Sequence, residues 1–171
     1  MTGPAYDLLV VLHVLSAVVG FGAVGVTGAY AAGARSTPEP RRDVRLRRYF
    51  SPGRNWAERS LLLTPVLGAI VLVSGDRGAA AQPWPWIGLA CWAAAAAIAT
   101  AWNWPAEHRV QTWLAGGAAL EGPAGSPGTA SVPGAGGLER FREDCRRLEW
   151  GAAAISLLFL AAVVVMVAQP S

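Results

Sequence analysis

His13 stands in LLVVLHVLSAVVGFGAVG, residues 8–25, a stretch otherwise built from apolar and small residues. An ionisable side chain in such a segment is costly and is usually turned to an interior, so chemistry is sought there first. On a helix, Ser16, Ala17, Gly20, Thr27 and Gly28 follow on its side, while Leu12, Val19 and Val26 fall on another. The spacing predicts that His13 faces a second helix. Counting inward from the same end of their segments, His13, Cys91 and Met166 reach a similar depth, ~8 Å at helical rise. Imidazole, thiolate and thioether at one level would suit Cu(I), and His with Met or Cys would suit a haem iron. The residue types leave three roles open for His13. It ligates haem or copper, alone or with Cys91 and Met166. It relays protons. Or it is neutral and hydrogen-bonds to a carbonyl or hydroxyl across a helix interface, Ser74 being one candidate, and sets register. His108 lies beyond Pro105 at the opposite surface, too far to share a site with His13 in one chain.

The elements that hold these residues follow from uncharged length. Of 171 residues 53% are hydrophobic, with a mean hydropathy of +0.36, which places the chain in the membrane class. Leu8–Ala34, Gly78–Ala106 and Trp150–Ser171 carry no charge. Each exceeds the ~20 residues a helix needs to cross a ~30 Å hydrocarbon core. A fourth run, SLLLTPVLGAIVLVSG at 60–75, is shorter and spans if Arg59 and Asp76 reach the head groups. The expectation is an all-α, four-helix transmembrane bundle, with helices at about 8–32, 57–75, 84–104 and 148–168. Thr64-Pro65 predicts a kink in the second. MTGPAYD lacks the positive region of a cleavable signal, so helix 1 is expected to be retained.

Arginine sets the orientation. All 14 basic residues are Arg, and every one but Arg77 lies between helices 1 and 2 or between helices 3 and 4. The positive-inside rule places those two loops in the cytoplasm and both termini outside, in a bacterial plasma membrane. Trp84 and Trp86 are expected at the outer interface, and Trp56, Trp102, Trp104 and Trp150 at the inner one. Cys91 and Cys145 fall too far apart in depth to pair.

The first loop, residues 35–59, contains RRDVRLRRYF with Leu46, Tyr49 and Phe50 at near-helical spacing. Its charge suits anionic lipid head groups, and because topology already accounts for the arginines, no nucleic-acid partner is expected. Residues 116–137 read as a flexible linker of Gly, Ala, Pro and Ser. LERFREDCRRLEW then regains helical period. Leu138, Phe141, Cys145 and Leu148 form a stripe expected to pack on WPAEHRVQTWL, with Glu143–Arg147 and Arg140–Asp144 as i,i+4 pairs. Gly25, Ala29 and Gly33 are in small-xxx-small register, which serves packing within the bundle or a homodimer face on helix 1.

Taken together, the LH of helix 1, NWAER before helix 2 and WPAE after helix 3 resemble a family of small bacterial four-helix integral membrane proteins without assigned function. The resemblance spans the chain apart from the 116–137 linker. More remotely, the LH is similar to that of copper-resistance membrane proteins of the D type and of a histidine-containing membrane protoporphyrinogen oxidase. In that oxidase a first-helix histidine binds haem, which implies the same for His13. The intramembrane lysine of the oxidase has no counterpart, since the chain has no Lys. The leading reading is a small polytopic membrane protein, non-enzymatic and of unassigned molecular role. The alternatives are a haem- or copper-linked redox protein using His13, and a small transporter or channel subunit.

Overall fold

Long apolar segments fold as helix in lipid because nothing else there satisfies the backbone. The computed structural model of the chain describes residues 3–51, 56–75, 78–118 and 135–168. Within them four helical stretches are long and apolar enough to cross a membrane: Pro4–Ser36, Ala57–Ser74, Pro83–Gly116 and Gly136–Val167. In detail the elements are α1 (Pro4–Ser36), α2 (Val44–Tyr49), α3 (Trp56–Arg59), α4 (Thr64–Ser74), α5 (Pro83–Ile98), α6 (Trp104–Ala118) and α7 (Ala135–Val167). A 3-10 turn, Ser60–Leu62, joins α3 to α4, and a π-helical turn, Ala99–Asn103, joins α5 to α6. The expected linker at 116–137 lies mostly outside the described residues.

The expected kink at Pro65 takes the form of the α3–α4 break. Proline has no N–H to give the Leu61 carbonyl one turn back. The Trp92 indole of α5 donates to that carbonyl instead, at 2.8 Å. Gly20 of α1 packs against the same break, where a Cβ would sit 2.6 Å from the Leu61 nitrogen. The second proline of this kind, Pro105, follows the π turn, the form in which a helix commonly absorbs an irregularity.

Two apolar clusters stack along the bundle. One joins Phe21, Val24, Leu61, Ala95, Ala99, Ala152 and Ile155 within the membrane-length part. The other joins Ala31, Ala34, Leu46, Phe50, Ala106, Val110, Leu114, Phe141, Cys145 and Leu148 below it. The stripe Leu138–Phe141–Cys145–Leu148 does pack on the WPAEHRVQTWL helix, and α2 folds under the bundle to join them. Asp43 caps α2 by accepting from the Arg45 and Leu46 N–H groups at 2.8 and 3.3 Å. We call this second cluster and its helices the foot. The Glu143–Arg147 pair forms at 3.5 Å, but Arg140 does not pair with Asp144. Asp144 lies beside Cys145 on the buried face and instead accepts from Arg109 Nε and Nη2 of α6, at 2.9 and 2.8 Å.

Above the foot the outer surface is apolar. Val18, Val19 and Val26, Val66 and Val73, Leu89, Leu157 and Val164 are all exposed, a belt suited to lipid tails. Trp86 is exposed towards one end of it, and Trp102 and Trp150 towards the other. The helices close on one another through small residues. A Cβ on Gly28 would lie 2.5 Å from that of Ala152, while one on Gly22 would meet nothing within 4 Å. Gly28→Ala is therefore expected to force α1 from α7 and destabilise the protein by about 1–3 kcal/mol. Gly22→Ala should be near neutral. Thermal unfolding in detergent checks both; equal losses would mean that the α1–α7 contact is not this tight.

Candidate functional site

His13 faces α4, as its helical neighbours imply. Its Nδ1 lies 3.0 Å from the Thr64 carbonyl oxygen. A carbonyl only accepts, so Nδ1 carries the proton and donates, which leaves Nε2 of the neutral ring without one. The partner is thus a backbone carbonyl at the start of α4, not Ser74. Gly68 makes the approach feasible, since a Cβ there would be 2.9 Å from the ring's Cε1. Beside it the Ser16 hydroxyl donates to the His13 carbonyl at 2.8 Å and lies 3.4 Å from the Thr64 hydroxyl. Ser60 Oγ donates to the Ala57 carbonyl at 2.7 Å and reaches the Ser16 carbonyl at 3.3 Å. Further along the same seam the Tyr6 hydroxyl lies against Gly75, the residue that follows α4, 3.0 Å from where a Cβ would be.

The other two residues expected at the depth of His13 lie on α5 and α7. Met166 of α7 lies over Gly88 of α5, its Cε 2.9 Å from where a Cβ would be. Cys91 is a free, half-buried thiol on α5. Among the described residues, no group of three or more His, Cys, Asp and Glu is placed to hold a metal ion. His108 is exposed on α6.

Between the two apolar clusters lies a polar layer. On α1 it is Thr27, between Val24 of one cluster and Ala31 of the other. Glu58 of α3 and Glu107 of α6 belong to it, only 4% and 6% exposed. The Thr27 hydroxyl donates to Glu58 Oε1. With its one hydrogen committed, Thr27 accepts from the Tyr49 phenol at 2.6 Å. The Trp104 indole also hydrogen-bonds to Glu58, and Gln111 Nε2 donates to Glu107 at 3.0 Å. Glu107 is near enough to feel the charges of both Glu58 and Arg59. Two carboxyl groups therefore share one water-poor layer, with a neutral donor on each and Arg59 close to Glu107. Asn103, also buried, fills the space that a Cβ on Gly151 would take, and its Oδ1 has no hydrogen-bond donor among the described residues.

Sequence reasoning from His13 missed Glu58 and Glu107, because each borders an uncharged run and reads as an ordinary charged helix end. One signal could have found them. Asn-Trp-Ala-Glu-Arg at 55–59 and Asn-Trp-Pro-Ala-Glu-His-Arg at 103–109 carry the same residue types in the same order. In comparisons with known proteins, no family model, curated protein or solved structure matches the chain.

Tyr49 lies in the foot, outside the four stretches long and apolar enough to span a membrane. Burial, with the Glu58 and Glu107 charges adding to it, pushes its phenol above the ordinary value. A raised folded-state pKa gives stability that is complete below the unfolded value near 10 and is lost as pH rises through the folded one. Tyr49→Phe is expected to cost about 1 kcal/mol at pH 7 through the lost hydrogen bond. The variant should also lose less further stability than the parent between pH 9 and pH 12. Parallel melting curves across ~3 pH units test the sign.

Proposed function

We propose that the chain is a multi-pass protein of the bacterial plasma membrane that handles protons, a small transporter or channel subunit rather than an enzyme. The arginine distribution supports both termini outside, with the foot and its Arg-rich segment 35–59 lying against anionic head groups on the cytoplasmic side. One observation carries the proton reading. Polar groups recur on the seam of α1 with α3 and α4: Tyr6 towards one end, then His13, Thr64, Ser16 and Ser60 together, and, beyond Gly20, Val24 and Leu61, Thr27 with Glu58. The α1–α7 seam, by contrast, is closed by Gly28 on Ala152 and by Phe21 stacked on Phe159 at 4.4 Å.

Hydroxyls, an imidazole and carboxyls are the groups through which protons are passed inside membranes, and lipid-spanning helices retain them only at a cost. From Tyr6 to Thr27 the seam covers ~30 Å at helical rise, about the thickness of the hydrocarbon core. His13 has the right form for a relay, with a protonated Nδ1 held by a carbonyl and an Nε2 able to take a proton. The test is proton flux into vesicles carrying the protein, with a trapped pH dye and a compensating potassium current. Flux above that of protein-free vesicles is expected, falling ~10-fold in His13→Gln and in Glu58→Gln. Flux indistinguishable from empty vesicles, with protein correctly inserted, would remove the proton reading.

A second reading has its own support. A histidine that ligates a metal commonly donates its other N–H to a backbone carbonyl, which is the arrangement of His13 with Thr64. In this reading haem or copper would bind Nε2 of His13, with Cys91 and Met166 the companions that depth along the helices suggests. An absorption spectrum and metal analysis of purified protein beside His13→Ala decide it. A Soret band or stoichiometric copper lost in the variant would establish a cofactor. A colourless, metal-free protein from cells rich in both would leave His13 to the seam.

A further inference from the structure

On the outward side of α1, where the foot begins, Ala29, Tyr30 and Gly33 face Thr37, Asp43 and the α2 residues Arg45 and Leu46 across a groove of about 310 Å³. Sites for small ligands start at roughly this size. From these residues we infer that the groove binds the head group of one anionic phospholipid, whose phosphate pairs with Arg45. The inference rests on reading the four helices as membrane-spanning, and not on the proton reading.

The groove owes its depth to small residues. A Cβ on Gly33 would meet nothing within 4 Å, and Ala29, one turn back, offers only a methyl. One wall is rigid, because the Tyr30 ring stacks on Tyr49 with centroids 3.9 Å apart and planes within 5°. The floor is rigid as well, since Leu46 belongs to the foot's apolar core and α2 is pinned by its Asp43 cap. The Arg45 guanidinium is the free element. Asp43 is committed to backbone N–H groups, and no ion pair holds Arg45 among the described residues, whereas Arg35, Arg42 and Arg109 are each paired with a carboxylate.

The groove also lies at the depth such a ligand needs. Tyr30, 39% exposed, falls at the end of the bundle marked by the exposed Trp102 and Trp150. Into the membrane from it runs the outward strip of Val18, Val19, Gly22 and Val26, exposed and apolar, with open space over Gly22. Away from the membrane stand Thr37, Arg45 and Asp43, the last with its carboxylate turned to the α2 N–H groups. Apolar above and cationic below is the complement of an acyl chain joined to a phosphate. The surrounding segment 35–59 has eight arginines against Glu39, Asp43 and Glu58, which favours an anionic over a zwitterionic lipid. A second copy of the chain suits the groove less well. Gly25 of the small-residue register is turned towards α7, where a Cβ would lie 4.0 Å from Ser156 Oγ, and an apolar helix laid here would cover Arg45 without a counter-charge. The occupant would touch Tyr30, and through that one ring the hydrogen-bonded Tyr49 of the polar layer.

Vesicle flotation comes first, because a protein that fails to enter bilayers would defeat the membrane reading itself. With insertion established, the protein is extracted into mild detergent with phosphatidylglycerol or phosphatidylcholine, and bound lipid is counted by native mass spectrometry. One retained phosphatidylglycerol per chain is expected, and less phosphatidylcholine. Arg45→Gln and Ala29→Leu, which remove the charge and fill the groove by independent means, should each lower retention by ~10-fold. Arg140→Gln, on the exposed side of α7, should leave it unchanged. Equal retention by the parent and both groove variants overturns the inference, as does equal retention of the two lipids. Loss of a dimer in Ala29→Leu with lipid retention unaltered also overturns it, and assigns this face to a second copy.

Discussion

Pro65 has no hydrogen to give the Leu61 carbonyl, and inside a bilayer that carbonyl finds no water. The chain answers with a break between α3 and α4 and with the Trp92 indole drawn across from α5. Much else follows from that break. Gly20 is needed because the exposed backbone of Leu61 comes up against α1, and Ser60 turns to reach the Ser16 carbonyl. Thr64 then starts a new helix with its carbonyl within reach of His13. The short α3 is left pointing its Glu58 at Thr27. A straight helix through this region would have its polar groups spread round its circumference; the break gathers them on α1.

The second constraint is exclusion of water at the junction of membrane part and foot. Glu58 and Glu107 stand where a simple four-helix bundle would end and its helix termini would be wet. They are buried because α1, α6 and α7 continue past that level and α2 folds beneath them, carrying Leu46 and Phe50 into a second core. The polar layer is thus enclosed on one side by the membrane cluster and on the other by the foot. Its internal order, Tyr49 to Thr27 to Glu58, is the pattern in which each group uses its one hydrogen. Packing and polar satisfaction are here the same problem, since the layer exists only while both cores stay closed.

Small residues are used in two ways on one helix. Gly20 and Gly28 are consumed inside the bundle, by Leu61 and by Ala152, whereas Gly22 and Gly33 face outward with nothing over them. A register written only as small-xxx-small does not distinguish these, because helical period drifts past it. The same holds for Asp144. Its i,i+4 neighbour Arg140 was the partner suggested by spacing, but the carboxylate lies on the buried edge of α7, where only Arg109 can reach it.

What the sequence by itself determined is whatever is written in one dimension. Uncharged length specifies four helices able to cross a membrane, Pro65 specifies a break, and the period of Leu138, Phe141, Cys145 and Leu148 specifies the face that α7 lays on α6. Even the inward turn of His13 could be read from its neighbours. The partners could not. His13 meets Thr64 across 51 positions, Glu58 meets Thr27 across 31 and Arg109 meets Asp144 across 35. Whether a glutamate at a helix end is solvated or buried depends on where a distant Leu46 and Phe50 come to rest. Only the tertiary structure decides that, because burial is set by what other segments cover, and no local pattern records it.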